Sequence, residues 1–544
     1  MDKAILDEIK LVAGGLGAQP NVERLMPEEI KMRAEKFCRR TVFGSCNYVS
    51  SAKTLSTALT VYLGSEHVET GVYTQKKRDI KKGALQTIRS VHEYLKKAPM
   101  VHTSGTLGKD SDFTPQCAFY VSKYRRDGIR VAHMVMESLF PPIADREPDL
   151  TVVFIPEWQE KDRQVLVFPE IGVTYVLGTD YFGEAKNAFL RMAMWRAKEK
   201  GMLGLHAGTK ILKARSTEEN IRKLGMMMFG IAATGKTTHS CHNHDLTAPG
   251  EGIEILQDDV VFWKRDGSAL GSEKAFYIKT ENLSPETQPL LYDAAVQEDA
   301  ILENVMVDYL GNVYFEDRTL TANGHGLVQR GALSPYCSDS INMPPIDELD
   351  GLIMVFMTRS NAVVPIVSKL TCEQAAVAFM LSESIDASGS DQQGPGTPTR
   401  GISASPLVIG EASEDCNRFY QMLKANGDQI ECYMLNTGGV GEIVEHGLDG
   451  TRRVLQKVTR VQIPEMASII RSIARGTIKW QEDANWMVQT PEYVDGMDIT
   501  KFDLDRHYTQ DRIDASIAAI RLDRAEYAAQ LPGLDPAIQA AVEF

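Results

Sequence analysis

The feature that constrains this chain most is the run Gly-Ile-Ala-Ala-Thr-Gly-Lys-Thr at residues 230–237, which follows the apolar run MMMF. It fits the pattern G-x-x-x-x-G-K-[ST] without a gap, and this pattern predicts a strand, a phosphate-binding loop and then a helix. Backbone N–H groups of such a loop wrap nucleotide phosphates, and the start of the helix adds partial positive charge. The alternative is a glycine turn before a helix, with no ligand.

Each polar side chain of this phosphate loop has an expected partner. The ammonium of Lys236 would reach the β- and γ-phosphates, and the hydroxyl of Thr237 would bind Mg²⁺. The predicted nucleotide-binding residues of the loop are Gly230, Ala233, Thr234, Gly235, Lys236, Thr237 and Thr238.

Two adjacent acids follow the next strand-like run, IEILQDDVVFW. A magnesium–nucleotide site needs a carboxylate near the end of a neighbouring strand. Asp258 and Asp259 lie about twenty residues beyond the phosphate loop and can supply it through oxygen or through bound water. The alternative is a pair of solvated acids in a turn.

A second cluster of possible ligands comes directly after the phosphate loop. It consists of His239, Cys241, His242 and His244. Closed zinc sites usually combine two separated pairs of ligands, and here one cluster stands alone. The sequence therefore favours a site without metal. The eight cysteines of the chain are scattered with no CxxC pair, which predicts free thiols in a reducing cytoplasm.

Composition narrows the class of protein. The 544 residues predict two to four domains, and the net charge of −14 argues against broad nucleic-acid binding. The N-terminus mixes acids and bases where a secretory signal would have an apolar block, and no apolar run is long enough to span a membrane. We therefore expect a cytoplasmic protein with a small-molecule substrate and neither nucleic-acid nor membrane partners. The oligomeric state is left open.

The order of apolar patterns predicts an α/β fold with mixed sheets. Strand-like runs such as QVLVFPEIGVTYVLG and LIMVFM alternate with amphipathic segments such as EAKNAFLRMAMWRAKEKG. Residues 386–406 form the one low-complexity stretch, rich in Gly, Ser, Pro and Thr. That composition predicts a loop, either a passive surface loop or a lid over an active site.

In this order the motifs resemble the ATP-dependent phosphoenolpyruvate carboxykinase family over roughly residues 60–475. The resemblance rests on MMMFGIAATGKTTHS, ILQDDVVFW, FYIKTENLSPETQPLLYDA, TDYFGEAKN and LNTGGVG. It implies an N-terminal α/β domain over 1–210 on the substrate side and a C-terminal P-loop domain over 211–544, with 386–406 as a mobile lid. It also implies ATP and Mg²⁺, with Mn²⁺ as a second candidate metal.

The resemblance also implies roles for individual residues. Lys279 would contact the γ-phosphate, and Arg453 and Thr459 would border the nucleotide. Tyr181 would lie near the substrate carboxylate and Lys186 near the reacting groups. The implied metal ligands are Thr237, Asp259 and His206, although His206 alone could equally be a buried core residue.

Four positions depart from the family pattern. Lys76 and His325 stand where the family has substrate-binding arginines, Asn187 replaces a metal-ligating lysine, and Ala233 replaces a glycine. Arginine grips a carboxylate bidentately, whereas lysine is a point charge and histidine can be neutral at pH 7. Asn187 can still bind a metal through its oxygen, and Arg78 near Lys76 can restore positive charge.

Three functions are compatible with these residues. The first is a phosphotransferase that moves the γ-phosphoryl group of ATP to a small acceptor other than oxaloacetate, with Lys186, Lys236, Lys279 and His325 as catalytic residues and Lys76, Arg78 and Tyr181 at the substrate. The second is the family reaction, which converts oxaloacetate and ATP to phosphoenolpyruvate, CO₂ and ADP. The third is an ATP-binding regulator without turnover. The altered substrate positions favour the first.

Overall fold

The computed structural model describes residues 1, 3–70, 73–161, 163–230, 234–385, 398–400, 407–446 and 452–544, with the side chains of 383–385, 398–400, 446 and 452 excepted. These residues divide into two compact units. Unit 1 comprises Met1–Gly204, Leu270–Pro335 and Leu407–Glu411. Unit 2 comprises Leu205–Ala269, Tyr336–Pro406 and Ala412–Phe544.

Helices and strands are interspersed through the described ranges. The helices are α1 (Lys3–Gly15), α2 (Pro27–Ala34), α3 (Gln75–Leu95), α4 (Ile129–Ser138), α5 (Phe182–Glu199), α6 (Lys236–Ser240), α7 (Pro289–Ala295), α8 (Cys372–Leu381), α9 (Ala412–Ala425), α10 (Ile463–Arg475), α11 (Gln510–Ala528) and α12 (Pro536–Ala540). The strands are β1 (Val22–Arg24), β2 (Arg39–Arg40), β3 (Cys46–Tyr48), β4 (Thr60–Tyr62), β5 (Met100–Thr106), β6 (Gln116–Ser122), β7 (Leu150–Ile155), β8 (Gln164–Phe168), β9 (Val173–Leu177), β10 (Leu203–Arg215), β11 (Ile221–Phe229), β12 (Gly252–Gln257), β13 (Val260–Trp263), β14 (Ala269–Gly271), β15 (Ala275–Lys279), β16 (Ile301–Glu303), β17 (Met306–Val307), β18 (Val313–Tyr314), β19 (His325–Gln329), β20 (Gly351–Thr358), β21 (Val367–Leu370), β22 (Glu383–Ile385), β23 (Pro398–Arg400), β24 (Ile430–Asn436), β25 (Gly439–Val440), β26 (Ile443–His446), β27 (Arg452–Gln456), β28 (Thr459–Arg460), β29 (Lys479–Asp483) and β30 (Val488–Tyr493).

Unit 1 contains a mixed sheet of seven strands in the order β1-β5-β6-β7-β9-β8-β4. Every residue of β7 is buried, as expected for a strand covered on both faces. On one face α1 and α3 contribute apolar side chains to a common core with the sheet, among them Ile9 and Ile88. Phe189 of α5 packs against Phe119 of the sheet, with ring centroids 6.3 Å apart.

A smaller sheet of unit 1 has the order β15-β19-β16-β3-β2. Its register places Glu303 of β16 opposite His325 of β19 and opposite Tyr48 of β3. Lys279 of β15 lies opposite His325 on its other side. Residues far apart in the sequence therefore become neighbours at one end of this sheet.

The main sheet of unit 2 includes the run β13-β10-β11-β20-β24-β21-β30-β29. Strand β11 ends at the phosphate loop, and it pairs antiparallel with β10 and parallel with β20. Beside it lies an aromatic core in which Phe419 of α9 stacks on Phe379 of α8, with ring centroids 4.2 Å apart. Phe229, the last residue of β11, meets Phe419 edge-on at 5.9 Å.

The prediction of an α/β fold with mixed sheets is confirmed. The predicted domains, 1–210 and 211–544, are continuous segments, whereas unit 1 also takes in Leu270–Pro335. Their assignment as substrate and nucleotide domains stays a prediction. The predicted lid, 386–406, lies outside the described residues except for β23, which pairs with β22. None of the helices in the described ranges has the length and apolar character needed to cross a bilayer.

The aromatic core beside β11 should contribute substantially to the stability of the protein. Phe419→Ala removes a fully buried ring that contacts Phe229 and Phe379, and the free energy of unfolding should fall by about 3–5 kcal/mol. Urea unfolding followed by circular dichroism measures the change. Leu522→Ala is the control, because Leu522 is 62% exposed and its loss should cost less than about 0.5 kcal/mol. Equal losses in the two variants would contradict this account of the core.

Candidate active site

The phosphate loop connects β11 to the short helix α6. Gly235 has φ +87°, a left-handed conformation that glycine adopts without strain. At Gly230, an added Cβ would lie 2.3 Å from Oγ1 of Thr234, so a larger residue would collide with the loop. The backbone conformation therefore favours glycine at 235, and the close side chain of Thr234 favours it at 230. Ala233 lies outside the described residues, and α6 is only five residues long.

The buried carboxylate of Asp258 holds the side chains of Lys236 and Thr237. Nζ of Lys236 lies 3.2 Å from Oδ1 of Asp258, and Oγ1 of Thr237 donates to Oδ2 at 2.7 Å. Gly208 of β10 makes room for this carboxylate, because a Cβ there would lie 2.8 Å from Oδ1 of Asp258 and 2.0 Å from Oγ of Ser240. The sequence predicted Asp258 and Asp259 together as acids of a metal site. It did not indicate that Asp258 contacts Lys236 and Thr237.

The second acid, Asp259, faces a histidine. Its Oδ1 lies 2.6 Å from Nε2 of His206 on β10 and 3.9 Å from Nζ of Lys236. Asp259 has φ +108°, an unfavourable conformation for a residue with a side chain, and such strained residues cluster at functional sites. The structure thus brings together two of the metal ligands that the resemblance implies.

This donor set fits a divalent ion bound together with a nucleotide. Mg²⁺ is usually held by one or two carboxylates plus phosphate oxygens and water; carboxylate oxygens also suit Mn²⁺, and an imidazole nitrogen suits several other first-row transition metals. Among the residues that the structure describes, no group of three or more His, Cys, Asp or Glu side chains could hold a metal ion. The pair of His206 and Asp259, with the hydroxyl of Thr237, would therefore need ligands from the nucleotide.

A second polar cluster forms in unit 1 around an aromatic stack. The ring of Tyr277 on β15 lies parallel to that of His325 on β19, with centroids 4.4 Å apart. Nδ1–H of His325 donates to the carbonyl of Asn323 at 3.0 Å, which fixes the ring orientation. The hydroxyl of Tyr181 lies 3.4 Å from the same Nδ1 and 3.4 Å from the hydroxyl of Tyr277. The predicted residues Tyr181 and His325 are thus brought together.

Buried charges hold this cluster in place. Tyr277 donates to Oε2 of Glu303 at 2.9 Å, and Oε1 of Glu303 lies 3.5 Å from Nη1 of Arg130. Burial raises the pKa of Glu303, although Arg130 opposes the shift. Arg130 also binds Oδ2 of Asp180 at 2.9 Å. Burial alone would raise the pKa of Asp180. The pKa is nevertheless lowered, because Arg130 and the backbone N–H groups of Ser51 and Ala52 stabilise the carboxylate.

Lys186 has a buried acidic partner that the sequence did not indicate. Its Nζ lies 3.1 Å from Oε2 of Glu273, and each side chain is 3% exposed. The same Nζ lies 5.8 Å from the centre of the Tyr277 ring. Asn187, the next residue on α5, is half-buried. Lys186 therefore lies beside the Tyr277–His325 stack, and its role near the reacting groups stays a prediction.

The remaining predicted residues are more exposed. Lys76 and Arg78 lie in the first turn of α3, where Nη2 of Arg78 donates to Oε1 of Gln75 at 3.1 Å. Nζ of Lys279 is paired with Oε2 of Glu281 at 3.0 Å.

Two residues implied for the nucleotide lie on short strands of unit 2. Arg453 on β27 is exposed, and Thr459 on β28 is half-buried and pairs with Val440.

The histidine cluster after the loop surrounds a lysine that the sequence analysis missed. Nζ of Lys210 on β10 donates to the carbonyl oxygens of His239 at 2.6 Å and His242 at 3.1 Å, and it contacts Nε2 of His244. Burial lowers the pKa of Lys210 to about 7 and that of His239 to about 3. The sequence gives no sign that Lys210 is buried, since the partly exposed Lys213 follows it on the same strand.

A family model and three related proteins that match this chain all carry the same enzyme name. A family model described as phosphoenolpyruvate carboxykinase matches residues 19–500. A relative from Aeropyrum pernix named phosphoenolpyruvate carboxykinase (ATP) is 28% identical over 399 residues, which cover 73% of this chain and 75% of the relative. Relatives of the same name from Bacillus mycoides and Bacillus cytotoxicus are each 26% identical over 369 residues, which cover 64% of this chain and 64% of each relative. The chain thus spans less than two thirds of these Bacillus proteins.

Lys210 generates a prediction about pH. Because burial lowers its pKa to about 7, between pH 7 and about 10.4 the unfolded chain binds a proton here that the folded chain lacks. The free energy of unfolding should therefore rise with pH in this window by up to about 1.4 kcal/mol per pH unit, and Lys210→Met should lose this contribution. Urea unfolding at several values between pH 7.5 and 9.5 measures both slopes.

The matched control is Lys213→Met, because Lys213 lies on the same strand and is 42% exposed. That variant should keep the pH slope of the original protein. Parallel slopes for the original protein and Lys210→Met would show that Lys210 does not titrate in this window.

Proposed function

The chain belongs to the phosphoenolpyruvate carboxykinase (ATP) family, and on that premise we propose that it converts oxaloacetate and ATP to phosphoenolpyruvate, CO₂ and ADP. The observation that carries the proposal is the arrangement of Lys236, Thr237, Asp258, Asp259 and His206 around the phosphate loop. The family match supports this reaction over transfer to another acceptor. The substitutions in the sequence, by contrast, favour transfer to another acceptor.

In this reaction the carboxylate carbon leaves as CO₂, and the oxygen of the resulting enolate takes the γ-phosphoryl group of ATP. Phosphoryl transfer depends on positioning and charge neutralisation more than on covalent help from the protein. Lys236 can do both, because its ammonium has three donors and can serve Asp258 and a phosphate together. A divalent ion held by Thr237, Asp259 and His206 would neutralise charge on the transferred group.

Unit 1 supplies the groups proposed to bind the acid. Lys186 and Tyr181 lie on or beside the start of α5, and the Tyr277–His325 stack lies close to both. Lys186, whose Nζ lies 3.1 Å from Oε2 of Glu273, would bring positive charge to the enolate oxygen as it forms. Lys76 would contact a substrate carboxylate as a point charge.

Transfer to a different small acceptor is the second candidate. Lys76 and His325 favour it, because neither side chain can form the bidentate contact to a carboxylate that the implied arginines would make. An ATP-binding regulator is less well supported, because Lys236, Thr237 and Asp259 retain groups that turnover needs.

One assay separates these functions. The purified protein is incubated with ATP and either oxaloacetate or another small carboxylate or alcohol, with Mg²⁺ and Mn²⁺ in separate reactions, and phosphoenolpyruvate and ADP are measured together. The proposal expects equal amounts of both products. ADP formation only with other carboxylates or alcohols would replace it with the second candidate. Binding of ATP without ADP release in any reaction would support a regulator.

Lys236 should be the most sensitive position of the nucleotide side. Lys236→Met removes the charge expected at the transferred phosphoryl group, and kcat should fall by about 10²–10³-fold. ADP release at saturating ATP measures the effect. The control is Lys213→Met, which removes an exposed lysine of the same unit and should change kcat by less than about twofold. A kcat within about twofold of the original in both variants would contradict the role of Lys236.

Lys76 should affect binding of the acid rather than phosphoryl transfer. Lys76→Ala removes an exposed positive charge from the first turn of α3, and KM for oxaloacetate should rise about 10-fold or more, because a hydrogen bond to a charged group contributes about 1.5–3 kcal/mol. KM for ATP should not change. Lys82→Ala, on the same helix and also exposed, should leave both constants unaltered. An unchanged KM for oxaloacetate in Lys76→Ala would remove Lys76 from the substrate site.

A further inference from the structure

Two cysteines of unit 1 lie side by side in a feature that the proposed function does not use. Cys38 precedes β2, and Cys46 begins β3. The two strands form an antiparallel hairpin in which Arg40 pairs with Cys46. The two Sγ atoms are 2.6 Å apart, which is only a short movement from the ~2.05 Å of a disulfide bond. Both residues are free thiols in this structure.

The two thiols differ in access and in charge. Cys46 is buried, whereas Cys38 is half-buried and so is the one that a reagent can reach. The hydrogen bond from Sγ of Cys46 lowers the pKa of the Cys38 thiol, and the guanidinium of Arg40 adds to this effect against the burial of the thiol. The same contact and burial raise the pKa of Cys46. A thiolate is the nucleophile in thiol–disulfide exchange, so Cys38 is suited to react first and Cys46 to react second.

The hairpin leads directly to the polar cluster of unit 1. Strand β3 pairs with β16, so that Tyr48 lies opposite Glu303. Directly beyond β3, the backbone N–H groups of Ser51 and Ala52 donate to Asp180 at 2.8–3.0 Å. A disulfide bond at Cys46 would therefore lie at the start of the strand that leads to the N–H donors of Ser51 and Ala52.

We propose that Cys38 and Cys46 are a redox-active dithiol, which a low-molecular-weight disulfide of the glutathione type oxidises to an intramolecular disulfide. The Cys38 thiolate attacks one sulfur of the small disulfide, forms a mixed disulfide and releases one small thiolate. Cys46 then loses its proton to solvent and attacks the Cys38 sulfur, which releases the second small thiolate. Two protein thiols are oxidised, and one small disulfide is reduced to two thiols.

The test is made on the full-length protein with oxidised glutathione at neutral pH. Thiols are counted in the denatured, acid-quenched protein before and after treatment, and the intact mass is measured. Two of the eight thiols should disappear with a loss of two hydrogen atoms in mass, and a small dithiol should restore them. Trypsin cleaves after Arg39 and Arg40, so a disulfide-linked pair of peptides identifies the bond in the unmutated protein.

Three variants assign the order of the steps. Cys46→Ser should accumulate a glutathione adduct on Cys38, because no second thiol can displace it. Cys38→Ser should react at least about tenfold more slowly, because the remaining thiol is buried. Cys337→Ser, which changes another half-buried cysteine, should still form the disulfide. Eight unreacted thiols in the unmutated protein, or a stable adduct there without the linked peptides, would overturn the proposal. These readouts do not depend on enzyme activity, so the proposed function can fail without affecting them.

Discussion

The arrangement of the phosphate side depends on one buried carboxylate. Asp258 cannot lie in the interior without donors, and it receives them from Lys236 and Thr237, the two side chains that the loop motif assigns to phosphate and metal. Gly208 on the neighbouring strand leaves space for this contact. The packing of unit 2 therefore fixes these two side chains in the protein itself. Preorganised groups of this kind neutralise developing charge without having to reorient during the reaction.

In unit 1, buried ion pairs likewise hold polar side chains in place. Arg130 lies between Asp180 and Glu303, and Lys186 is paired with Glu273. A buried pair of this type contributes little net stability, because the cost of removing two charges from water offsets their attraction. Removing one partner is costly, since it leaves a buried charge uncompensated. The pairs therefore restrict the positions of the side chains around Tyr277 and His325 more than they strengthen the fold.

The sequence predicted what depends on local spacing. The phosphate loop, the acids after the next strand and the α/β alternation all follow from short-range patterns, and the structure shows the corresponding elements. The sequence did not predict Arg130, Glu273 or Glu303, because each pairs with a residue far away in the chain: Arg130 on α4 with Glu303 on β16, and Glu273 with Lys186 on α5. Lys210 was not predicted for a different reason. Lys213 and Arg215 also lie on β10, and the contacts of the Lys210 Nζ with His242 and His244 come from the chain that follows α6.

The substitutions on the substrate side can be reconciled with membership of the family by asking which step each residue affects. Lys76 keeps a positive charge at an exposed position, and His325 keeps a fixed position through its stack on Tyr277. What both lack is the two-point grip of arginine on a carboxylate. A grip that is equally strong in the bound substrate and in the transition state changes KM and leaves kcat unaltered. If the chain carries out the proposed reaction, its divergence should lie in how tightly it holds the acid, and the phosphoryl-transfer step should be preserved, since Lys236 and its carboxylate partner are present.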